Sequence, residues 1–190
     1  HCMESYFGSP RERNVTDDIN LAIQRNVIRN MRIIADDNQN LEALSELVYD
    51  SAMAENGVLK IGKSTDFQAH MIQHQYGAYT HTNHGMGLAV IHPALYRHLA
   101  PEAPAQFARW AREVWDVDAK GKDDLTVALE GIDRLQTFIG EMELPTSFAE
   151  MGSDASDETL HKVANTCVPT GGCAKKLERS EVFQILTECL

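Results

Sequence analysis

The sequence predicts an all-α fold, a helical bundle of about eight helices forming one domain over residues 1–190. Three observations carry this. Apolar residues recur at i, i+3 or i+4, and i+7 through most of the chain, the spacing of one helix face. Residues that favour helix starts and stops bracket those segments. No alternating strand pattern stands out between them.

Taken in order, His1, Cys2, Met3, Glu4, Ser5, Tyr6 and Phe7 read as the middle of a helix. Gly8, Ser9 and Pro10 break it, and residues 11–14 form a charged loop. Thr16 is the expected N-cap of the next helix, with Asp17 and Asp18 in its first turn. Ile19, Ile23, Val27, Met31 and Ile34 run near i+4 while Leu21, Ile28 and Ile33 take adjoining faces, which predicts a well-buried helix. After a polar connection at 36–40, Leu41, Leu44, Leu47 and Val48 begin a helix that runs to about Glu55 and ends at Asn56-Gly57. Residues 57–65 form a loop with an apolar centre, and Asp66 is the expected cap of the helix carrying His70 and His74. Tyr76-Gly77 reads as its stop.

The chain then turns through His84-Gly85-Met86-Gly87 into another helix, and again at Pro101 and Pro104. Phe107, Ala108, Ala111, Val114 and Trp115 mark an amphipathic helix in which Trp110 belongs to the core. Residues 116–122 form a loop. Asp123-Asp124 cap a helix whose face is Leu125, Ala128, Leu129, Ile132, Leu135 and Ile139. Residues 142–153, centred on Leu144-Pro145, read as an extended connection. Ser156 caps a short helix ended by Pro169-Thr170-Gly171-Gly172, and Ser180 caps the last, with Val182, Ile185, Leu186 and Cys189 inside.

At 43% hydrophobic and 24% charged the chain has the balance of a soluble globular protein. Seventeen Lys and Arg against 28 Asp and Glu leave a formal charge of −11, which argues against nucleic acid or anionic lipid as partner. No apolar run approaches the ~20 residues that span a bilayer, and no signal peptide opens the chain. The four cysteines form no CxxC pair. Cys167 and Cys173 could be bridged, but free thiols in a reducing cytoplasm are the expectation.

Six of the eight histidines fall within residues 66–98. His70 and His74 stand i, i+4 on one helix face, and His84 begins the next helix. Imidazoles placed this way can converge on one point, so a zinc, copper, iron or nickel site is the leading hypothesis. Spacing alone pairs His70 with His74 as ligands. His92 and His98 lie further along and read as structural or exposed.

The run His70, His74, His84, then Gly85-Met86-Gly87-Leu88-Ala89 and Pro93-Ala94-Leu95-Tyr96-Arg97 closely resembles the second signature of the iron-containing (group III) alcohol dehydrogenases. The likeness is strongest to their butanol-dehydrogenase branch. His1 followed by Glu4, Tyr6 and Phe7 resembles the segment carrying that family's second metal ligand. The resemblance implies a metal site made of His1, His70 and His84, with an Asp from upstream of His1 as fourth ligand. The metal would be divalent, Fe²⁺ or Zn²⁺. It implies that His74 is a catalytic non-ligand facing substrate or nicotinamide, and that Glu4 hydrogen-bonds behind the metal. His81 stands where that branch more often has another polar residue and reads as a surface histidine.

The fold implied is the dehydroquinate-synthase-like helical C-terminal domain. The family's N-terminal α/β domain, which binds NAD(P)(H), is absent from the chain, and no Gly-rich phosphate loop follows a predicted strand. The implied activity is hydride transfer between a small alcohol or aldehyde and NAD(P)(H), in a full-length parent expected to be a cytoplasmic homodimer. The 190-residue chain alone is then expected to be inactive. The competing reading is a non-catalytic helical metal-binding or assembly domain. A di-iron bundle would need two Glu-x-x-His motifs, and only Glu158 with His161 has that spacing.

Overall fold

A computed structural model describes residues 1–8, 14–171 and 174–190. Among these, nine α-helices and two 3₁₀ turns occur, with no strand. The helices are α1 (Cys2–Tyr6), α2 (Val15–Asp36), α3 (Leu41–Glu55), α4 (Gln68–Thr80), α5 (His84–Leu99), α6 (Pro104–Trp115), α7 (Asp124–Glu141), α8 (Asp157–Thr166) and α9 (Arg179–Glu188). The expected break at Ser9 and Pro10, most of the charged loop after it, Gly172 and the Cys167–Cys173 spacing lie outside the described residues. No helix is long and apolar enough to cross a membrane, among the residues described.

The short helix α1 is held at its C-terminal end by Phe7. This ring stacks on Phe107 with centroids 4.0 Å apart and meets Tyr96 at 4.9 Å and Trp110 at 5.5 Å. All four rings are buried. Each such aromatic contributes about 1.5–3 kcal/mol relative to exposure, so α1 is docked firmly on α5 and α6. This docking fixes where His1 and Glu4 stand. Helices α6 and α7 close on each other at Gly131, where an added Cβ would sit 2.4 Å from that of Ala111.

Helix α2, predicted from its apolar faces to be well buried, is buried only in part. Ile19 and Ile33 are exposed, while Asn20, Gln24 and Asn30 are buried. A hydrogen-bonded relay accounts for two of them: Trp110 Nε1 donates to Gln24 Oε1 (2.8 Å), Gln24 Nε2 to Asn20 Oδ1 (2.8 Å), and Asn20 Nδ2 to the Cys2 carbonyl (2.9 Å), while Asn30 Nδ2 donates to the Asn26 carbonyl (2.9 Å). Three helices are tied by amides whose polar atoms are satisfied, which is what allows them inside.

Several helix ends also differ from the sequence-based expectation. Asn14, not Thr16, caps α2 by accepting from the Asp17 N–H at 3.0 Å, because the Thr16 hydroxyl is engaged by the Ile61 carbonyl and Asp17 forms a buried pair with Lys63. Helix α4 runs through Gly77 and stops at His81, in the left-handed conformation (φ 56°). Glu178 rather than Ser180 precedes α9, its N–H donating to Glu181 Oε2 at 2.9 Å in a capping box. The expected extended connection at 142–153 is instead a series of turns that seats Phe148 on Tyr76, centroids 4.2 Å apart.

Candidate metal centre

Glu4 is the residue around which the site is assembled. It is fully buried, and its Oε1 accepts from the N–H groups of Ala69 (2.7 Å) and His70 (3.3 Å), in the first turn of α4. Phe67, at the N-cap position, has φ 57° and makes no side-chain cap bond, so Glu4 supplies the cap from another helix. The expected cap, Asp66, is itself buried, its N–H donating to the Glu4 carbonyl at 3.2 Å. Glu4 Oε2 accepts from His70 Nδ1. Burial resists ionisation of Glu4, but the His70 hydrogen bond and the nearby His92 and His70 hold its carboxyl below the usual range.

The imidazoles gather around His70. Its ring centroid lies 4.5 Å from that of His1, 5.2 Å from His84 and 5.8 Å from His74, and His74 and His84 are 5.1 Å apart. His70 is buried, whereas His1, His74 and His84 are exposed, so the cluster opens on the surface. Because a carboxylate oxygen can only accept, the Glu4 contact places the His70 proton on Nδ1. That leaves the His70 Nε2 lone pair on the far side of the ring, buried and without a hydrogen-bond partner. His84 is fixed in the same way, Nδ1 donating to Gln73 Oε1. Burial, then the neighbouring His70 and His74, push the His84 pKa down. A neutral imidazole with a free Nε2 is the form that binds metal.

His1 departs from this arrangement. Its ring stacks on His70, but its Nδ1 pairs with Glu55 Oε1 at 2.5 Å. Among the described residues, no set of three or more His, Cys, Asp or Glu side chains is arranged to hold a metal ion. The expected residues are therefore brought together as rings, with the buried His70 Nε2 uncommitted, and not as a closed set of donor atoms. A cavity of about 310 Å³ lies behind His1, between Met3, Val27, Ile28, Leu135 and Phe138; none of His70, His74 and His84 lines it.

Two residues of the site were not legible as such. His92, read as structural or exposed, is buried, donates from Nδ1 to the Leu88 carbonyl at 2.9 Å, and places Nε2 3.9 Å from Glu4 Oε1. Burial lowers its pKa to about 4, so it is neutral at pH 7. Its only sequence signal is its i+8 spacing from His84, two turns along α5. Gln73 offered none, being one amide among several on α4. The other histidines lie elsewhere. His81 is exposed at the end of α4, His98 pairs with Glu181 at 2.9 Å, and His161 stacks on Phe183. Glu158 pairs with Lys162 rather than contributing to a metal cluster with His161.

A helical domain with buried carboxylate and clustered imidazoles is the class that fold and site define. The family model of the Fe-containing alcohol dehydrogenase family, C-terminal, matches residues 1–190. The chain belongs to this family. It is 32% identical over its whole length to the probable NADH-dependent butanol dehydrogenase 1 of Bacillus subtilis, covering 49% of that protein. It is 31% identical over 97% of its length to NADH-dependent butanol dehydrogenase A of Clostridium acetobutylicum, covering 48% of it. Among solved structures, NADH-dependent butanol dehydrogenase A of Thermotoga maritima shares the fold over the whole chain and 49% of its own, with TM-score 0.89 and 23% identity. The chain thus spans about half the length of the relatives it matches.

Proposed function

We propose that this chain supplies the metal-binding half of an alcohol dehydrogenase or aldehyde reductase that moves a hydride between a small alcohol or aldehyde and NAD(P)(H). His1, His70 and His84 would hold Fe²⁺ or Zn²⁺, with a carboxylate from upstream of His1 as a further ligand. The dinucleotide would be bound mainly by an N-terminal α/β domain of the parent, a cytoplasmic homodimer. Family membership supports alcohol dehydrogenase chemistry, and the names of the bacterial relatives support a nicotinamide cofactor and a small alcohol. The observation that carries the site assignment is the buried His70 Nε2, which has no hydrogen-bond partner while Glu4 fixes Nδ1. A buried polar atom left unpaired costs about 1–3 kcal/mol, a cost a bound cation would remove.

A divalent cation held there supplies Lewis acidity that favours ionisation of the alcohol. The chain's own residues supply the rest. Glu4 orients the His70 imidazole and raises its basicity. His74, exposed and 5.1 Å from His84 between ring centroids, stands at the open edge of the cluster, where it can pass a proton between substrate and solvent. His1 would turn from Glu55 toward the cluster when a cation is present, a swing of a half-exposed ring.

In the full-length parent, His84→Ala should abolish both tight metal binding and turnover. His74→Ala should keep the metal and slow the reaction. The 190-residue chain alone should show no dehydrogenase activity, since hydride transfer needs the nicotinamide held ~3–3.5 Å from the reacting carbon. Metal analysis and steady-state rates decide. A His74→Ala enzyme without metal makes His74 a ligand, and a fully active His84→Ala enzyme refutes the assignment.

A further inference from the structure

We propose that Gln73 is a positioning residue that sets the tautomer and direction of His84, and that Gly77 and Gly87 leave the slot its side chain needs. Its bearing on metal rests on the proposed function; the tautomer claim does not.

Gln73 lies on α4 three residues after His70 and is 2% exposed. Its Oε1 is the acceptor for His84 Nδ1, on the first turn of α5. Two glycines crowd the amide from either helix. A Cβ on Gly87 would lie 2.8 Å from Gln73 Cγ and 2.9 Å from Nε2; one on Gly77 would lie 3.0 Å from Nε2. No larger residue fits at Gly87 without displacing Gln73, which gives a physical reason for the second glycine of the His84-Gly85-Met86-Gly87 run.

The His84 ring packs beside those of His70 and His74, contacts that do not choose which of its two nitrogens carries the proton. An imidazole left to itself favours the proton on Nε2. It would then present an N–H to a cation in place of a lone pair. A carbonyl facing Nδ1 moves the proton there and frees Nε2. The two central histidines are thus locked by acceptors of different charge, a carboxylate behind His70 and a neutral amide behind His84. This arrangement fixes both rings while adding only one negative charge to the buried side of the cluster.

The test begins with the metal-free 190-residue chain. Long-range ¹H–¹⁵N correlation spectra report which His84 nitrogen carries the proton, and zinc affinity is read by competition with a chelator. Wild type should show Nδ1–H. Gln73→Met, of similar volume but without an acceptor, should shift His84 toward the Nε2–H form and weaken zinc binding roughly 10- to 100-fold. Gln73→Glu should restore the Nδ1–H form. Gly87→Ala, which keeps the amide but pushes it aside, should reproduce the Gln73→Met shift, and a circular dichroism melt of each variant confirms folding. His84 remaining in the Nδ1–H form in both Gln73→Met and Gly87→Ala, with zinc affinity unchanged, would overturn the proposal. A wild-type chain that takes no zinc counts against the metal reading, while the tautomers still decide the role of Gln73.

Discussion

Replacing Glu4 by alanine removes one carboxylate that three donors share: the N–H groups of Ala69 and His70, at 2.7 and 3.3 Å, and His70 Nδ1. All three lie in buried surroundings. A buried donor without its acceptor costs about 1–3 kcal/mol, and loss of an N-cap about 1 kcal/mol. The losses do not add, because the donors share one partner and the variant no longer buries a charge. A net loss of roughly 3–5 kcal/mol is expected, the range seen when one partner of a buried pair is removed. In a domain of this size each kcal/mol moves the melting midpoint by about 2–4 °C, so the midpoint should fall by about 10 °C. Glu4→Gln keeps one oxygen for the helix N–H groups but turns an NH₂ toward His70 Nδ1, and should cost about half as much. Urea and thermal unfolding of the metal-free chain, followed by far-ultraviolet circular dichroism, measure both. A Glu4→Ala chain within about 0.5 kcal/mol of wild type refutes the reasoning that this carboxylate holds α1 to α4.

Gly131→Ala should destabilise the chain by about 1–3 kcal/mol through overpacking against Ala111, although alanine is the better helix former by about 1 kcal/mol; a gain in stability would contradict the α6–α7 contact. Glu181 is partly buried, which resists its ionisation, but the Glu178 N–H, Lys175 and His98 lower its pKa to about 2. Its contribution is therefore complete above the unfolded value near 4.5 and is lost as pH falls toward 2, so Glu181→Gln should flatten the stability profile in that window. Burial pushes the Cys189 thiol up to about 12, so iodoacetamide at about pH 8 should modify it slowly in the folded chain and quickly in denaturant, as read by mass spectrometry.

Much of this was legible because it is local. The caps at Asp123 and Ser156 and the end of α3 at Asn56-Gly57 depend on neighbours in sequence, and the structure keeps them. The meeting of His70, His74 and His84 followed from i, i+4 spacing and a short connection between α4 and α5. What could not be read depends on partners far along the chain. Glu4 caps a helix 65 residues away, whereas from its sequence neighbours alone Asp66 is the natural cap. The buried amides of α2 look like a polar face until Trp110 and the Cys2 carbonyl are known to donate and accept their hydrogen bonds. His92 and Gln73 are ordinary side chains in sequence, and only packing against Glu4 and His84 gives them a place in the site. The apolar residues Leu41, Leu44 and Val48, which mark the start of α3 in the sequence, are exposed, while α3 buries Ala43 and Asp50.

In the proposed metal centre, the Nε2 atoms of His70 and His84 bind one divalent cation. Anomalous diffraction at the iron or zinc edge from crystals of the protein grown with that metal tests it most directly. One strong peak is expected within ~2.0–2.3 Å of both Nε2 atoms, with His1 turned from Glu55 to join them and His74 outside ligand distance. A peak at His74 in place of His84, or a metal retained at full occupancy after His70→Ala, would contradict it.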